Sequence, residues 1–487
     1  MLAKLVLFAG MAIPLLLTAQ QLTPEMASHA QLAQEAERHN DFSTAVREYR
    51  RLAGMLPNSA EIQSNLGVAL YFDHQLRPAI AAFHKAMAIN PSLMAPHLFS
   101  GLAWYQLSNP DSAVPELEKA IRINAKDPNA HIWLGYAYSA QGHSQAAVRQ
   151  FEEASRIDAN NIDVWYALGH TWLDAGKDAT LTLLAVAPDG GRVWELAGDQ
   201  SQMRGDQKAA LYDFEQAEQR RPDLLELRQR IAALGGTTAG RTRTVPSARA
   251  PEEKQKEDAA YEQAHNAEEQ SRAAFERVVQ LAPDSYRAHQ IMADAYVSQK
   301  QDRKAIDEYR KVVELKPDLS GVHDALGEAL LRTGDMAGAL QEFEAEIKIQ
   351  PQSAKAYMDA GRALRMLGRD AESEKMLDAA ATMNRPPLET YVLLGQLKLG
   401  HKNYHAAIAA LTRYTAKEKG NSTAYYLLAM AYRGLGDQER MKDALAMYKK
   451  TSMDAKARTQ AEKQLRPAEP GTDIAEKGPD GQKFPSQ

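Results

Sequence analysis

Cysteine is absent from all 487 residues, which excludes disulfides, thiol catalysis, zinc ribbons and cysteine lipidation while remaining compatible with an oxidising compartment. Aromatic residues are sparse, at 7%. Charge of one sign is lacking too. A formal net charge of −5 over this length creates no field that would draw the chain onto nucleic acid. No Gly-x-Ser-x-Gly elbow, P-loop or Gly-x-Gly-x-x-Gly stretch follows a strand pattern, because no strand pattern exists to carry one. Acyl transfer, nucleotide hydrolysis and dinucleotide chemistry are therefore poor expectations, and no catalytic residue, cofactor or small-molecule cofactor site is assigned.

What is present is a helix-forming mixture. Hydrophobic residues make up 44% and charged residues 25%, and Ala, Leu, Glu, Gln, Arg and Lys dominate. The length exceeds what one hydrophobic core supports, so the chain is several domains or an extended array. The N-terminus reads as an export signal over 1–19: Lys4 supplies the positive end, Leu5 to Leu17 the apolar stretch and Ala19 a small residue for cleavage. The alternative is an uncleaved anchor in the inner membrane. An apolar run of about 13 residues is short of the roughly 20 that span a bilayer, so a periplasmic or secreted location is expected.

The organising feature is a period. Pro57 and Pro91 lie 34 residues apart, and Pro283, Pro317 and Pro351 keep that interval. Leu-Gly pairs recur at Leu66-Gly67, Leu134-Gly135, Leu168-Gly169, Leu326-Gly327 and Leu394-Gly395. A small residue then recurs at Ala45, Ala79, Ala113, Ala147, Ala210, Ala305, Ala339 and Ala407, each followed by a large one, as at Tyr49, Phe83, Phe151 and Phe343. Antiparallel helices that cross closely need Gly or Ala where backbones approach and bulky groups beside them. Proline stops the second helix, and Gly-His or Gly-Asp turns such as Gly142-His143 and Gly334-Asp335 part the two helices.

On these residues the chain resembles the tetratricopeptide repeat family, of an exported bacterial type, over about 90% of its length, from Met26 to about Ala455. The resemblance implies an all-α solenoid of about twelve helix-turn-helix units. One unit departs: that beginning at Ile162 is short in its second helix, where Pro188-Asp189-Gly190-Gly191 turns the chain early. The stretch 236–251 is rich in Gly, Thr, Pro and Arg without apolar period and reads as a linker. The next helix puts Gln255, Asp258 and Glu262 where core residues are expected, as a terminal cap would. An N-terminal array over 24–235 and a C-terminal array over 252–455 follow, with 456–487 as a helix end and disordered tail; one continuous solenoid with a surface loop is the competing arrangement.

Histidines invite a metal reading. His97, His131, His289 and His323 share one early repeat position, which Trp165 and Trp194 occupy elsewhere, so ring packing accounts for them. His401 and His405 have the spacing of a zinc pair but flank an expected turn and lack a zincin glutamate. No metal site is assigned.

The resemblance also implies where ligands lie: on a concave surface lined by the first helix of each unit. Helical geometry puts the second, fifth, sixth, ninth, twelfth and thirteenth positions of a unit there. The N-terminal array then presents Tyr71, Phe72, Leu98, Phe99, Tyr105, Ile132, Trp133, Tyr136 and Tyr166. Rigid aromatics suit a binding groove, although packing against the neighbouring unit would use the same rings. The C-terminal array offers Lys355, Arg362, Arg365 and Arg433 as contacts for an acidic ligand, or as solvated charge. The peptide-carboxylate clamp of the family's heat-shock co-chaperones is not reproduced: Asn65 has no partners at Ala30, Gln34, Ala95 or Phe99. The expectation is a non-catalytic scaffold that binds proteins or peptides in an envelope or secretion complex; the alternative is a structural component that self-associates without a discrete ligand.

Overall fold

The computed structural model describes residues 23–203, 205–236 and 250–465, with side chains through 453 apart from Met203. The expected export segment and most of the expected linker and tail lie outside these residues. Among the described residues every regular element is a helix, and none is long and apolar enough to cross a membrane.

The chain divides into two compact units between Met292 and Ala293. The first opens with four sequential helix pairs: α1 (Pro24–Arg38) with α2 (Phe42–Met55), α3 (Ala60–Phe72) with α4 (Leu76–Ile89), α5 (Met94–Gln106) with α6 (Pro110–Ile123), and α7 (Pro128–Ala140) with α8 (Ser144–Ile157). A left-handed residue parts the helices of each pair, at Asn40, His74, Ser108 and Gly142 in turn, 34 residues apart. Packing within a pair follows the small-against-large rule. A Cβ at Gly67 would sit 2.4 Å from the Phe83 ring, one at Gly101 2.5 Å from Leu117 and one at Gly135 2.8 Å from Phe151. Each of these glycines admits the large residue that lies 16 places later.

The fifth repeat breaks the pattern. α9 (Ile162–Val186) runs straight through Gly176, the residue one period beyond Gly142, without a left-handed turn. Its second half is not the shortened second helix expected from sequence. α10 (Gly191–Met203), α11 (Gln207–Arg220) and α12 (Leu225–Ala233) follow, and then α13 (Pro251–Leu281) returns antiparallel along α9. The register is fixed by close contacts: Gly169 faces Phe275 at 2.5 Å, Gly176 faces Ala267 at 3.3 Å, and Ala179 and Leu183 pack with Ala260, Tyr261 and Ala264. Phe275 therefore takes the place that Phe151 takes in the preceding repeat. The repeat begun at Ile162 is closed by a helix about a hundred residues further on.

This correction moves the division of the chain. The helix after the expected linker belongs to the first unit, and its polar face is not a terminal cap. Asp258 accepts from Arg192 Nε (2.7 Å) and Arg221 Nη1 (3.0 Å), while Glu257, fully buried, accepts from the Arg192 backbone N–H (2.9 Å). Arg192 also meets Glu195, and Arg230 bonds Asp199, which accepts from the Tyr261 hydroxyl. These ion pairs tie α10, the turn after α11 and α12 to α13. Gln255 and Glu262 are exposed.

The second unit carries the end of α14 (Tyr286–Ser298), then α15 (Asp302–Leu315), α16 (Val322–Thr333) with α17 (Met336–Ile349), α18 (Ala354–Met366) with α19 (Asp370–Thr382), α20 (Glu389–Gly400) with α21 (Tyr404–Lys417), and α22 (Ser422–Leu435) with α23 (Gln438–Leu465). Gly327 against Phe343, Gly361 against Leu377 and Gly395 against Leu411 repeat the same packing.

Candidate functional site

First helices of successive repeats in the first unit lie side by side, and their shared face is where the aromatic residues collect. α7 starts at Asp127, whose carboxylate caps the Ala130 N–H at 3.1 Å, and α9 starts at Asn161, which caps Asp163 and Val164. These caps set the phase of each helix, so that Trp133 and Tyr136 point toward Tyr105 of α5. The three rings form a cluster: Tyr105 to Trp133 5.7 Å, Trp133 to Tyr136 5.7 Å and Tyr105 to Tyr136 6.5 Å between centroids. All three are half-buried, as are Trp104 and Ile132 beside them. Tyr136 is anchored from below by an edge contact to Phe151 at 5.1 Å, and burial pushes its hydroxyl up to about 12.

Next along the same face is a polar floor. Arg287, at the start of α14, is only 5% exposed. Its Nε donates to Asp163 at 2.6 Å, its Nη1 to Gln290 at 2.8 Å, and its guanidinium lies 4.2 Å from the Tyr166 ring centre. Burial opposes the arginine charge, but Asp163 and the neighbouring tyrosines outweigh it and hold the group more firmly protonated than in water. The Tyr286 hydroxyl also bonds Asp163. His170 lies 4.4 Å from Tyr166 and 5.1 Å from Phe275. Burial, assisted by the Arg287 charge, lowers the His170 imidazole to about 4, so the ring is neutral near pH 7.

Four residues expected in the groove are core instead. Tyr71, Phe72, Leu98 and Phe99 are all buried, because each meets a neighbouring repeat before it can reach solvent. Phe72 stacks on Phe42 at 5.0 Å, Phe99 stacks on Phe83 at 6.2 Å, and the Tyr71 hydroxyl accepts from Gln106 at 2.5 Å. Tyr105, Ile132, Trp133, Tyr136 and Tyr166 remain partly open. Trp104, Asp163, His170, Phe275 and Arg287 were not singled out from sequence. Arg287 carries a usable signal, since it stands at the second position of its helix, but the linker expected over 236–251 assigns it to the other array.

In the second unit most of the cations expected to receive an acidic ligand already have partners. Lys355 Nζ lies 2.5 Å from Asp324, 2.6 Å from Glu328 and 2.9 Å from Asp359, and Arg362 pairs with Asp359 at 2.8 Å. Arg365 bonds Gln396, whereas Arg433 is exposed. Burial raises the Asp324 and Asp359 carboxyls, partly offset by the Lys355 charge. These three carboxylates lie close enough together to share a metal ion, but the Lys355 ammonium takes the central place. His401 bonds Glu374 at 3.1 Å.

Models of the tetratricopeptide repeat match residues 31–92, 105–171, 286–319, 325–386 and 392–451. No curated protein matches the chain. Among solved structures, the MamA 41-end fragment from Desulfovibrio magneticus RS-1 is 17% identical over 42% of this chain and 98% of its own, with a TM-score of 0.30. YrrB, described as a TPR protein with an unusual peptide-binding site, is 17% identical over 42% of this chain and 89% of its own, at 0.27. The human IFIT1 dimer with PPP-AAAA is 14% identical over 88% of this chain and 84% of its own, at 0.39.

Proposed function

Because the chain belongs to the tetratricopeptide repeat family, we propose that it is a non-catalytic adaptor that binds peptide segments of partner proteins on the aromatic face of its first unit. The observation that carries this reading is the half-buried cluster of Tyr105, Trp133 and Tyr136 beside the Arg287–Asp163 floor. Large rigid rings that keep part of their surface in water bury much area at little entropic cost when a ligand arrives. Their polar neighbours supply a rigid backing: the buried Arg287 guanidinium, paired with Asp163, lies against the Tyr166 ring and holds it in place. The residue pattern over 1–19 supports an exported protein working in the periplasm or secreted space, within an envelope complex. Nucleic acid and cofactors have no part in this reading.

Selection of displayed random peptides on the full chain tests it. Recovery of a consensus segment that competes with itself for one site supports the proposal, and failure to enrich any sequence counts against it. A structural, self-associating role is the second reading, favoured by the apolar stripe of Leu173, Leu181 and Leu184 on α9, where Leu181 is 66% exposed. Sedimentation that reports a concentration-dependent oligomer, abolished by Leu181→Asp, would favour it.

A further inference from the structure

Histidine recurs early in several first helices, 34 residues apart at His97 and His131 and again at His289 and His323, and the structure shows more than ring packing there. His97 Nδ1 lies 2.7 Å from Glu116 and its Nε2 lies 3.3 Å from the Pro91 carbonyl. His323 repeats the arrangement, with Nδ1 2.6 Å from Glu342 and Nε2 2.9 Å from the Pro317 carbonyl. His29 is likewise 2.7 Å from Glu48. In each case the glutamate stands 19 residues after the histidine, on the second helix of the repeat.

At His323 the partners favour a charged ring. A carbonyl oxygen only accepts, and so does an ionised carboxylate, so a ring that serves both donates from both nitrogens, as an imidazolium does. Trp165 confirms what the carbonyl slot requires. Its indole N–H, which can only donate, bonds the Ala159 carbonyl at the same six-residue spacing. His131 keeps the carbonyl contact without a carboxylate: its Nε2 lies 3.1 Å from the Ala125 carbonyl, and its Nδ1 lies 2.9 Å from the side-chain amide of Gln150.

We propose that His323–Glu342 is a proton-held latch that ties the first helix of its repeat to the second, and that losing the ring proton as pH rises loosens that repeat. The carboxylates that act on the His323 ring are Glu342 and Glu346 from α17. Around His97 the one carboxylate, Glu116, is accompanied by the cations Lys119 and Arg122 from α6, with His84 from α4, and these cations oppose a further positive charge, which places the latch at His323. The Glu342 hydrogen bond raises the His323 imidazole above its ordinary value, against burial, and hydrogen bonds from His97 and Lys119 outweigh burial to hold the Glu116 carboxyl below its own. A group raised on folding stabilises below its unfolded value, and that contribution disappears as pH rises through the folded value. Each unit of elevation changes the folding constant tenfold.

The test uses the full chain labelled with 15N-histidine. Long-range ring spectra followed through a pH titration, assigned with His323→Gln, should place the His323 midpoint above its midpoint in the Glu342→Gln variant, which recreates the His131 pair. Equal midpoints would overturn the proposal. Urea unfolding between pH 6 and 9, in a Glu37→Gln background that removes another group titrating near neutrality, should show the folding constant falling as pH rises, and the fall should lessen in Glu342→Gln. A pH dependence unchanged in that variant would also overturn it, and should Glu342→Gln not fold, the same comparison between the native chain and His323→Gln decides.

Discussion

Replacing Phe275 with Ala would test whether one repeat is closed by a helix from the far side of an insertion. In the structure Phe275 fills the space above Gly169, so close that a Cβ there would be 2.5 Å from its ring, and it also contacts Tyr166 and His170. Removing a fully buried phenylalanine costs about 3–5 kcal/mol through lost transfer energy and the cavity left behind. Phe275 is partly exposed whereas Phe151, its counterpart one repeat earlier, is fully buried, so Phe275→Ala should cost about 2–3 kcal/mol and Phe151→Ala about 3–5. Urea unfolding gives the magnitude and hydrogen exchange gives its place: protection should fall over residues 162–172 as well as around 275. If Phe275→Ala costs under about 0.5 kcal/mol, within the range of an inert surface change, and exchange at 162–172 does not move, the discontinuous repeat is wrong.

The ion network that fastens the insertion should be similarly exacting. Arg221 is 3% exposed and meets Asp223, Glu257 and Asp258, of which Glu257 is buried, so Arg221→Ala leaves that carboxylate without its cation and should cost roughly 3 kcal/mol, the low end for breaking a buried pair, with exchange rising over α10–α12 before the rest of the unit. Ser108 holds a left-handed backbone (φ 56°), and Ser108→Gly should stabilise by about 1 kcal/mol, read from the urea midpoint. Burial raises the Glu37 carboxyl to about 7, opposed by its hydrogen bond from Tyr49. A carboxyl raised on folding favours the native state in its protonated form, so this group's contribution declines from about pH 4.5 to 7, and Glu37→Gln should remove that decline in a melting series across the same window. His170 acts in the opposite direction. Its lowered value means that stability falls as pH drops below the ordinary histidine range toward about 4, and His170→Phe should lessen that fall.

Much of the architecture was legible because it rests on local spacing. A glycine and the large residue 16 places later define a helix pair, and Gly67–Phe83, Gly135–Phe151 and Gly327–Phe343 all follow it. The fifth repeat defeats that rule because Gly176 stands where a turn is due and no local signal says otherwise. What keeps α9 helical there is packing against Ala260, Tyr261 and Ala264, residues too distant in sequence for periodicity to connect. The groove was legible by position but not by depth. Helical phase puts Phe72 and Trp133 on outward positions alike, and only the presence of Phe42 beside one of them decides that it is core. The histidine contacts were not legible because the informative residue, a glutamate 19 places on, belongs to the other helix.

Whether the aromatic cluster of the first unit binds partner segments is most directly measured by calorimetric titration of a selected peptide into the full chain, beside Trp133→Ala and Lys355→Ala variants. Trp133→Ala should weaken binding by at least tenfold, about 1.4 kcal/mol, with melting nearly unchanged, and Lys355→Ala should leave the affinity as it was. Equal affinity for the Trp133→Ala variant and the unaltered chain would contradict the account.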